Sequence, residues 1–348
     1  MLGSEALDRV HERGTIQMHG FVDHAVLVSH AVDKVNVPSE AARKRREQVA
    51  YLRTKLEAHI AAHPDYDLVK MRASGSVAKH TAIKGVGGSD ADVAAYVRAA
   101  SVGGVAAPES GLLDWLRDRC VEVYGKTKVA EDFVISRHAV GITMRGSGLK
   151  IDVAPVLYEG EPDDRGHLIT RNGERVLTSV SLHLAFLNAR KAEAGAEYKE
   201  FVRLVKAFIK HAKFEDEHLK FKSFLAELLV AHLWDRGWNN EPLAIKSYPR
   251  AFEQFFAYIV RTGLRDEIIF SDYYKDADVS GSTDPIRVWD PVNPANNVAA
   301  AYTESDRIRL VQRAAEALDC ITWAATANTK GAANDAWRNI FGPAFQGA

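Results

Sequence analysis

A mixed α/β half followed by an α-helical half is the fold class that this sequence predicts. Three observations carry the prediction. Up to about residue 175 the apolar residues fall in short strand-like runs, at 68–74, 90–97, 132–143 and 149–157. Beyond Leu177 they recur with the 3.6-residue period of amphipathic helices. The strand-like runs also carry the chemistry: Gly75-Ser76 ends one, and the carboxylates Asp90, Asp92 and Asp152 stand on two others. Residues 1–175 are therefore expected to form a sheet with N-terminal helices, and residues 176–348 a helical lobe.

The elements follow from local chemistry. Pro38-Ser39 opens a long helical pattern that ends near His63-Pro64, with Ser39 placed to cap it and Pro64 to stop it. Its charge run Arg43-Lys44-Arg45-Arg46 reads as a solvated face. Leu68 to Ala73 is a strand that Ser74-Gly75-Ser76 breaks. Val102 to Pro108 reads as a loop and Leu112 to Tyr124 as a helix. In the second half, Phe201, Leu204, Val205 and Phe208 mark one helix, and Phe224, Leu228, Leu229 and Leu233 another. Phe252, Phe255, Phe256 and Ile259 mark a third; Ile308, Val311, Ala315, Leu318 and Ile321 mark the last long one. Such aromatic spacing reads as core, Phe224 included. Asp272 to Ser282 spaces its acids like part of a calcium loop but lacks the closing glutamate, so it reads as a plain loop. The 13 histidines are read as forming no HExxH or paired-ligand pattern, with His211 and His232 on helix faces. No Ser-His-Asp or Cys-His arrangement can be argued from spacing.

Side chains alternate along a strand, so Asp90 and Asp92 share a face. Asp152, in the run Lys150 to Leu157, is placed to lie beside them. Three converging carboxylates repel one another unless a cation sits between them. Mg²⁺ is the natural ion, because it takes oxygen ligands and keeps positions for substrate phosphates. Two such ions could activate an attacking hydroxyl and stabilise the leaving oxygen of a phosphoryl displacement; Mn²⁺ is the alternative. Upstream, Gly75 permits a turn that approaches a ligand closely, and the amides and hydroxyl at Ser76 can hold phosphate oxygens.

The order strand, Gly75-Ser76, Thr81, Asp90-x-Asp92, strand, Asp152 resembles the nucleotidyltransferase superfamily built on the DNA polymerase β palm. Within it the chain is similar to the bacterial cyclic-oligonucleotide synthases (cGAS/DncV-like nucleotidyltransferases), relatives of the oligoadenylate synthetases. Gly75 to Gly85 and Ser89-Asp-Ala-Asp-Val93 fit their active-site signature, with one departure: His80 stands where many members carry glycine. Phe201 to Phe208 resembles the family helix whose lysine, here Lys206, reaches the nucleotide triphosphate. Phe221 to Leu229 resembles the next helix, with Ser223 beside the same phosphates. Asp290 to Val298 is similar to an Asp-Pro-x-x-Pro-x-x-Asn segment of the oligoadenylate synthetases. The resemblance implies a polymerase β-like palm and an oligoadenylate-synthetase-like C-terminal lobe. It implies catalytic and metal-binding Asp90, Asp92 and Asp152, and nucleotide contacts at Gly75, Ser76, Thr81, Lys206 and Ser223. It also implies NTP substrates, ATP foremost, a cyclic di- or trinucleotide product, and a role in antiphage signalling.

Composition bounds the alternatives. A chain of 348 residues with 47% hydrophobic and 26% charged residues is an ordinary globular protein with room for two lobes. The net charge of −1 gives no basic surface for a stable nucleic-acid partner, which counts against an RNA-tailing or CCA-adding enzyme. A linear oligoadenylate maker stays open, as do transfer to a small molecule and a dead nucleotide-binding scaffold, though an unused carboxylate cluster only costs stability. The two cysteines, Cys120 and Cys320, read as buried thiols. With no leader and no membrane span in the pattern, a cytoplasmic monomer is expected. Gln346-Gly347-Ala348 reads as an unanchored tail, which by resemblance invites conjugation by a ubiquitin-ligase-like partner.

Overall fold

The computed structural model describes residues 20–63, 65–85, 91–99, 101–102, 105–106, 109–160 and 163–347. Helix α1 (His24–His30) runs into a π-helical turn, Ala31–Val35, and is followed by α2 (Ser39–Ile60). Strand β1 (Tyr66–Ser74), the short α3 (Gly75–Lys79) and β2 (Ala91–Ala99) come next. Two-residue strands β3 (Ser101–Val102) and β4 (Val105–Ala106) pair with each other where a plain loop is expected from sequence. Helix α4 (Leu112–Tyr124) leads to β5 (Phe133–Ile135), β6 (Val140–Met144), β7 (Leu149–Gly160), β8 (Arg165–Ile169) and β9 (Arg175–Thr178). Helices α5 (Val180–Ala194), α6 (Ala196–Glu215), α7 (Ser223–Arg236) and α8 (Tyr248–Thr262) follow. The chain closes with β10 (Glu267–Ile268), β11 (Arg287–Val288), α9 (Glu304–Thr326) and α10 (Lys330–Phe341).

Among the described residues, seven strands form one sheet in the order β1-β2-β7-β6-β5, with β8 pairing β7 and β9 pairing β8. The β2–β7 pair is parallel and its neighbours are antiparallel. Strand β7 is long enough to serve both ends: its first half pairs with β6 and its last residues with β8. Alternation along β7 buries Leu149, Ile151 and Val153 on one face and turns Lys150 and Asp152 to the other. The buried face packs on Val49, Leu52, Leu56 and Ile60 of α2 and on Leu112, Leu116 and Cys120 of α4. Each such side chain contributes roughly 1.5–3 kcal/mol by leaving water.

Two local expectations are corrected. Pro38, not Ser39, occupies the N-cap of α2 and no side chain caps that end; the fixed φ of proline suits the position, and Ser39 is already helical. The run expected as one strand over 132–143 is two, because Ser136 turns the chain, its amide donating to the Ala139 carbonyl at 2.8 Å. Pro64 lies outside the described residues.

The helical lobe buries Phe201, Phe208, Phe252, Phe255, Phe256 and Trp337 in one cluster. Val22, Leu27, Ala31 and Val35 join the same cluster. Helix α1, the first described helix of the expected 1–175 unit, therefore packs in the other lobe's core. There His30 sits against Phe341 and Phe345, ring centroids 4.8 and 4.9 Å away. Burial, assisted by Lys34, drives the His30 imidazolium down to about 4. Gly347 also rests on this lobe: its backbone lies so close to Asn334 that a Cβ would fall 1.8 Å from Oδ1, so the tail is anchored up to Gly347.

Candidate active site

A cavity of about 670 Å³ opens between the sheet and the helical lobe. On the sheet side, Ser74 of β1 pairs with Asp92 of β2, and Asp92 pairs in parallel register with Asp152 of β7. Residues in register on adjacent strands project to one face, and both aspartates line the cavity. Asp90 lies outside the described residues, so the third carboxylate has no position here.

Two glycines make room for these carboxylates. At Gly75 the chain turns with φ +66°, and a Cβ there would sit 1.7 Å from Asp92 Oδ2. Gly141, the β6 residue opposite Asp152, would place a Cβ 2.9 Å from Asp152 Oδ1. The signal for Gly141 was its place in the strand Val140–Met144, but its neighbour across the ladder is a matter of register, which sequence does not print. Asp152 Oδ1 is buried without a hydrogen-bond partner, and Lys150 Nζ stands 3.5 Å from it. An anionic oxygen so placed, beside a second carboxylate across one strand gap, fits an oxygen-seeking divalent cation.

Gly75 and Ser76 open α3 at the cavity wall. That helix ends at His80, whose φ of +57° is left-handed. A position of this kind favours glycine, which accounts for the residue expected there by resemblance; His80 adopts the conformation at a cost of about 1–2 kcal/mol.

The opposite wall comes from α5, α6 and α7. Lys206, Ser223 and Phe224 all line the cavity. Lys206 does not point a free ammonium into it: Nζ is 2.5 Å from Glu227 Oε1 and donates to Thr81 Oγ1 at 2.8 Å. Thr81 is buried, and its hydroxyl donates to Glu227 Oε1 at 3.2 Å. Lys79 of α3 donates to the other oxygen, Oε2, at 2.7 Å. Burial opposes charge on Glu227, but Lys79 and Lys206 outweigh it and hold the carboxyl at about 2. Burial pulls the Lys206 ammonium down, and Glu227 works against that. Two lysines thus share one buried carboxylate.

Lys79 and Glu227 carry no sequence motif of their own. Glu227 stands four residues after Ser223 on one helix face, which was a legible spacing. Its pairing with a loop 146 positions away was not. Phe224, expected in the core, is half-buried on the cavity wall, with Lys79 Nζ 4.7 Å from its ring centre and His183 edge-on at 5.8 Å. His183 is held from behind: its Nε2 lies 2.8 Å from Asp290 Oδ1, and Val292 N and Asn296 Nδ2 also donate to the Asp290 carboxylate. The Asp290–Val298 segment is thus a buttress, and Asn293 ties it to the Leu177 carbonyl at the end of β9.

Further cavity cations are Lys210 and Lys213. The acids of the 272–282 loop have protein partners: Asp272 pairs with Arg190 of α5, Asp276 accepts from Ser271 Oγ, and Asp278 accepts from the Lys275 amide. Among the described residues no helix is long and apolar enough to cross a membrane.

No family model matches the chain. Among curated proteins it is 40% identical over 329 residues to a cyclic AMP-AMP-AMP synthase of Escherichia coli (strain MS 115-1), covering 94% of this chain and 98% of that one. Solved structures of E. coli MS115-1 CdnC, with ATP and in complex with HORMA-deltaN, superpose with a TM-score of 0.82 at 39% identity over 94% of this chain, covering 100% and 99% of those chains respectively. The Vibrio cholerae DncV cyclic AMP-GMP synthase with nonhydrolyzable GTP has the same fold, TM-score 0.67, at 11% identity over 94% of this chain and 97% of its own.

Proposed function

Since this chain belongs to the bacterial cyclic-oligonucleotide synthases, nucleotidyltransferases that join NTPs into cyclic messengers of antiphage defence, we propose that its substrate is ATP and its product a cyclic triadenylate. The reading rests on one observation above the rest. Asp92 and Asp152 face a single cavity in parallel register, beside the Gly75 turn, in a chain 40% identical to a cyclic AMP-AMP-AMP synthase.

In this reading the sheet wall does the chemistry. Mg²⁺ is the ion assigned to Asp92 and Asp152, with Asp90 as the expected third ligand; when bound it supplies charge neutralisation for the triphosphate and the leaving pyrophosphate. Gly75 and Ser76 hold phosphate oxygens through amide and hydroxyl groups. Asp152 orients the ribose hydroxyl of the acceptor and takes its proton as the hydroxyl attacks the α-phosphorus. Lys210 and Lys213 supply positive charge to the triphosphate, and Ser223 binds beside them. Lys206 acts through Glu227 and Thr81, which supports a role in shaping the loop rather than in touching phosphate. Phe224 stacks on an adenine, its half-buried ring being the aromatic surface on that wall. Three such transfers, the last within one linear triadenylate, release three pyrophosphates and close the ring.

A HORMA-type partner is proposed by similarity to the CdnC complex. Conjugation through the C-terminal tail, the other partner expected from the resemblance, would require Gly347 to lift from Asn334. The deciding experiment incubates the purified protein with each NTP and Mg²⁺, with and without a HORMA protein, and analyses phosphatase-resistant products by mass spectrometry. ATP alone is expected to yield a cyclic trinucleotide. A product that phosphatase degrades, or one that requires GTP, would overturn the assignment.

A further inference from the structure

Away from the cavity, three metal-type donors meet where α2 and α4 end. His59 lies in the last turn of α2, His63 just past that helix, and Glu122 in the last turn of α4. Their ligand atoms all lie within 4.8 Å of one another. Glu122 Oε2 is 2.7 Å from His59 Nε2 and 3.5 Å from His63 Nε2. From sequence no paired-ligand pattern is expected among the histidines; in the structure two of them adjoin one carboxylate. His59 and His63 stand four apart in sequence, and the third donor comes from another helix.

The hydrogen bonding around the trio is the informative part. His63 Nδ1 is 2.9 Å from the His59 carbonyl oxygen, which can only accept, so Nδ1 carries the hydrogen. In neutral His63 this leaves Nε2 as a bare lone pair turned towards a carboxylate oxygen. The nitrogen and the carboxylate oxygen are drawn together only through a cation between them, a proton or a metal ion. A backbone carbonyl fixing the far nitrogen is also the usual support of a metal-bound imidazole. Glu122 is oriented from behind as well, its other oxygen accepting from Arg119 Nη2 at 2.7 Å. Zinc bonds of about 2.0–2.1 Å in tetrahedral geometry set donors roughly 3.3 Å apart. The two spacings from Glu122, 2.7 and 3.5 Å, straddle that value, and all three ligand atoms lie within 4.8 Å of one another.

We propose that His59, His63 and Glu122 form a zinc site, completed by water, that ties the end of α2 to the end of α4. The ligand set, two imidazoles and a carboxylate, favours zinc over magnesium, which prefers oxygen ligands throughout. The site lies outside the nucleotide cavity, and its metal takes no part in nucleotidyl transfer.

The test uses the full chain, stripped with chelator and held in millimolar Mg²⁺ to occupy the aspartates. Zn²⁺ titrated by calorimetry is expected to bind at one per chain, and Co²⁺ to give the intense visible absorption of a tetrahedral site. Zn²⁺ is also expected to raise the melting temperature. His63→Ala and the isosteric Glu122→Gln should each weaken binding by more than about tenfold and lose the cobalt spectrum. Asp92→Asn with Asp152→Asn should keep both signals. Nucleotide synthesis with Mg²⁺ should be unchanged in His63→Ala. Wild-type protein that binds no stoichiometric zinc, or binding that survives both Glu122→Gln and His63→Ala, would overturn the proposal. If His63→Ala does not fold, Glu122→Gln alone decides.

Discussion

Gly75 is the residue at which one methyl group would do the most damage. Its φ of +66° disfavours any L side chain, and the added Cβ would land on Asp92 Oδ2. Gly75→Ala is therefore expected to lose about 100-fold or more in turnover, the order a displaced reacting group costs, with a modest drop in melting temperature. Wild-type turnover in steady-state assays would remove Asp92 from the reaction. Glu227 makes a different prediction. It is buried between Lys79 and Lys206, so Glu227→Gln leaves buried Lys206 and half-buried Lys79 without their counter-charge. A loss of roughly 3–5 kcal/mol is expected in denaturant unfolding, far beyond the surface pair Arg43–Glu47. If the variant unfolds like wild type, the cluster is not held by charge.

At the scale of the element, the pairing of β2 with β7 places Asp92 beside Asp152, and one residue of slippage would send one of them into the apolar face. Replacing both by asparagine should abolish transfer while leaving the fold intact or slightly more stable, because like charges are relieved. Activity assays and thermal melts on the same sample check this; retained activity would sink the carboxylate mechanism. Gly141→Ala should lower turnover with little effect on stability, by crowding Asp152 Oδ1 across the ladder. The alternation of Leu149, Ile151 and Val153 with Lys150 and Asp152 made the facing of β7 readable from residues alone. The same residues do not say which strand lies alongside, so Gly141 escaped notice, and the β8–β9 hairpin has too short an apolar pattern to announce itself.

For the whole molecule, the helical lobe's core gathers residues from both sides of the sheet-bearing segment, with His30 buried between Phe341 and Phe345. The His30 value of about 4 lies below its ordinary 6.5, so the unfolded chain binds the proton more tightly. The stability that neutral His30 contributes is complete above about pH 6.5 and is lost as pH falls from there towards 4, by about 2–3 kcal/mol. His30→Leu should flatten that limb of a stability-versus-pH curve; an unchanged slope would locate the acid sensitivity elsewhere. The helical pattern beyond Leu177 was readable because amphipathic periodicity is local. That α1 belongs to the same core was not, since the contact joins residues some three hundred positions apart.

That closure has a consequence for biosynthesis. On the ribosome α1 emerges long before α10, and its buried face has no complete partner until α10 and Phe345 have left the exit tunnel. The sheet, whose strands all lie between residues 66 and 178, can collapse while the lobe that flanks it is still unfinished. Through most of synthesis Leu27 and its neighbours are exposed apolar surface, the kind that chaperones hold. Stalled or truncated chains lacking α10 would carry a folded sheet and an open helical core, and so be marked for degradation before they could bind nucleotide.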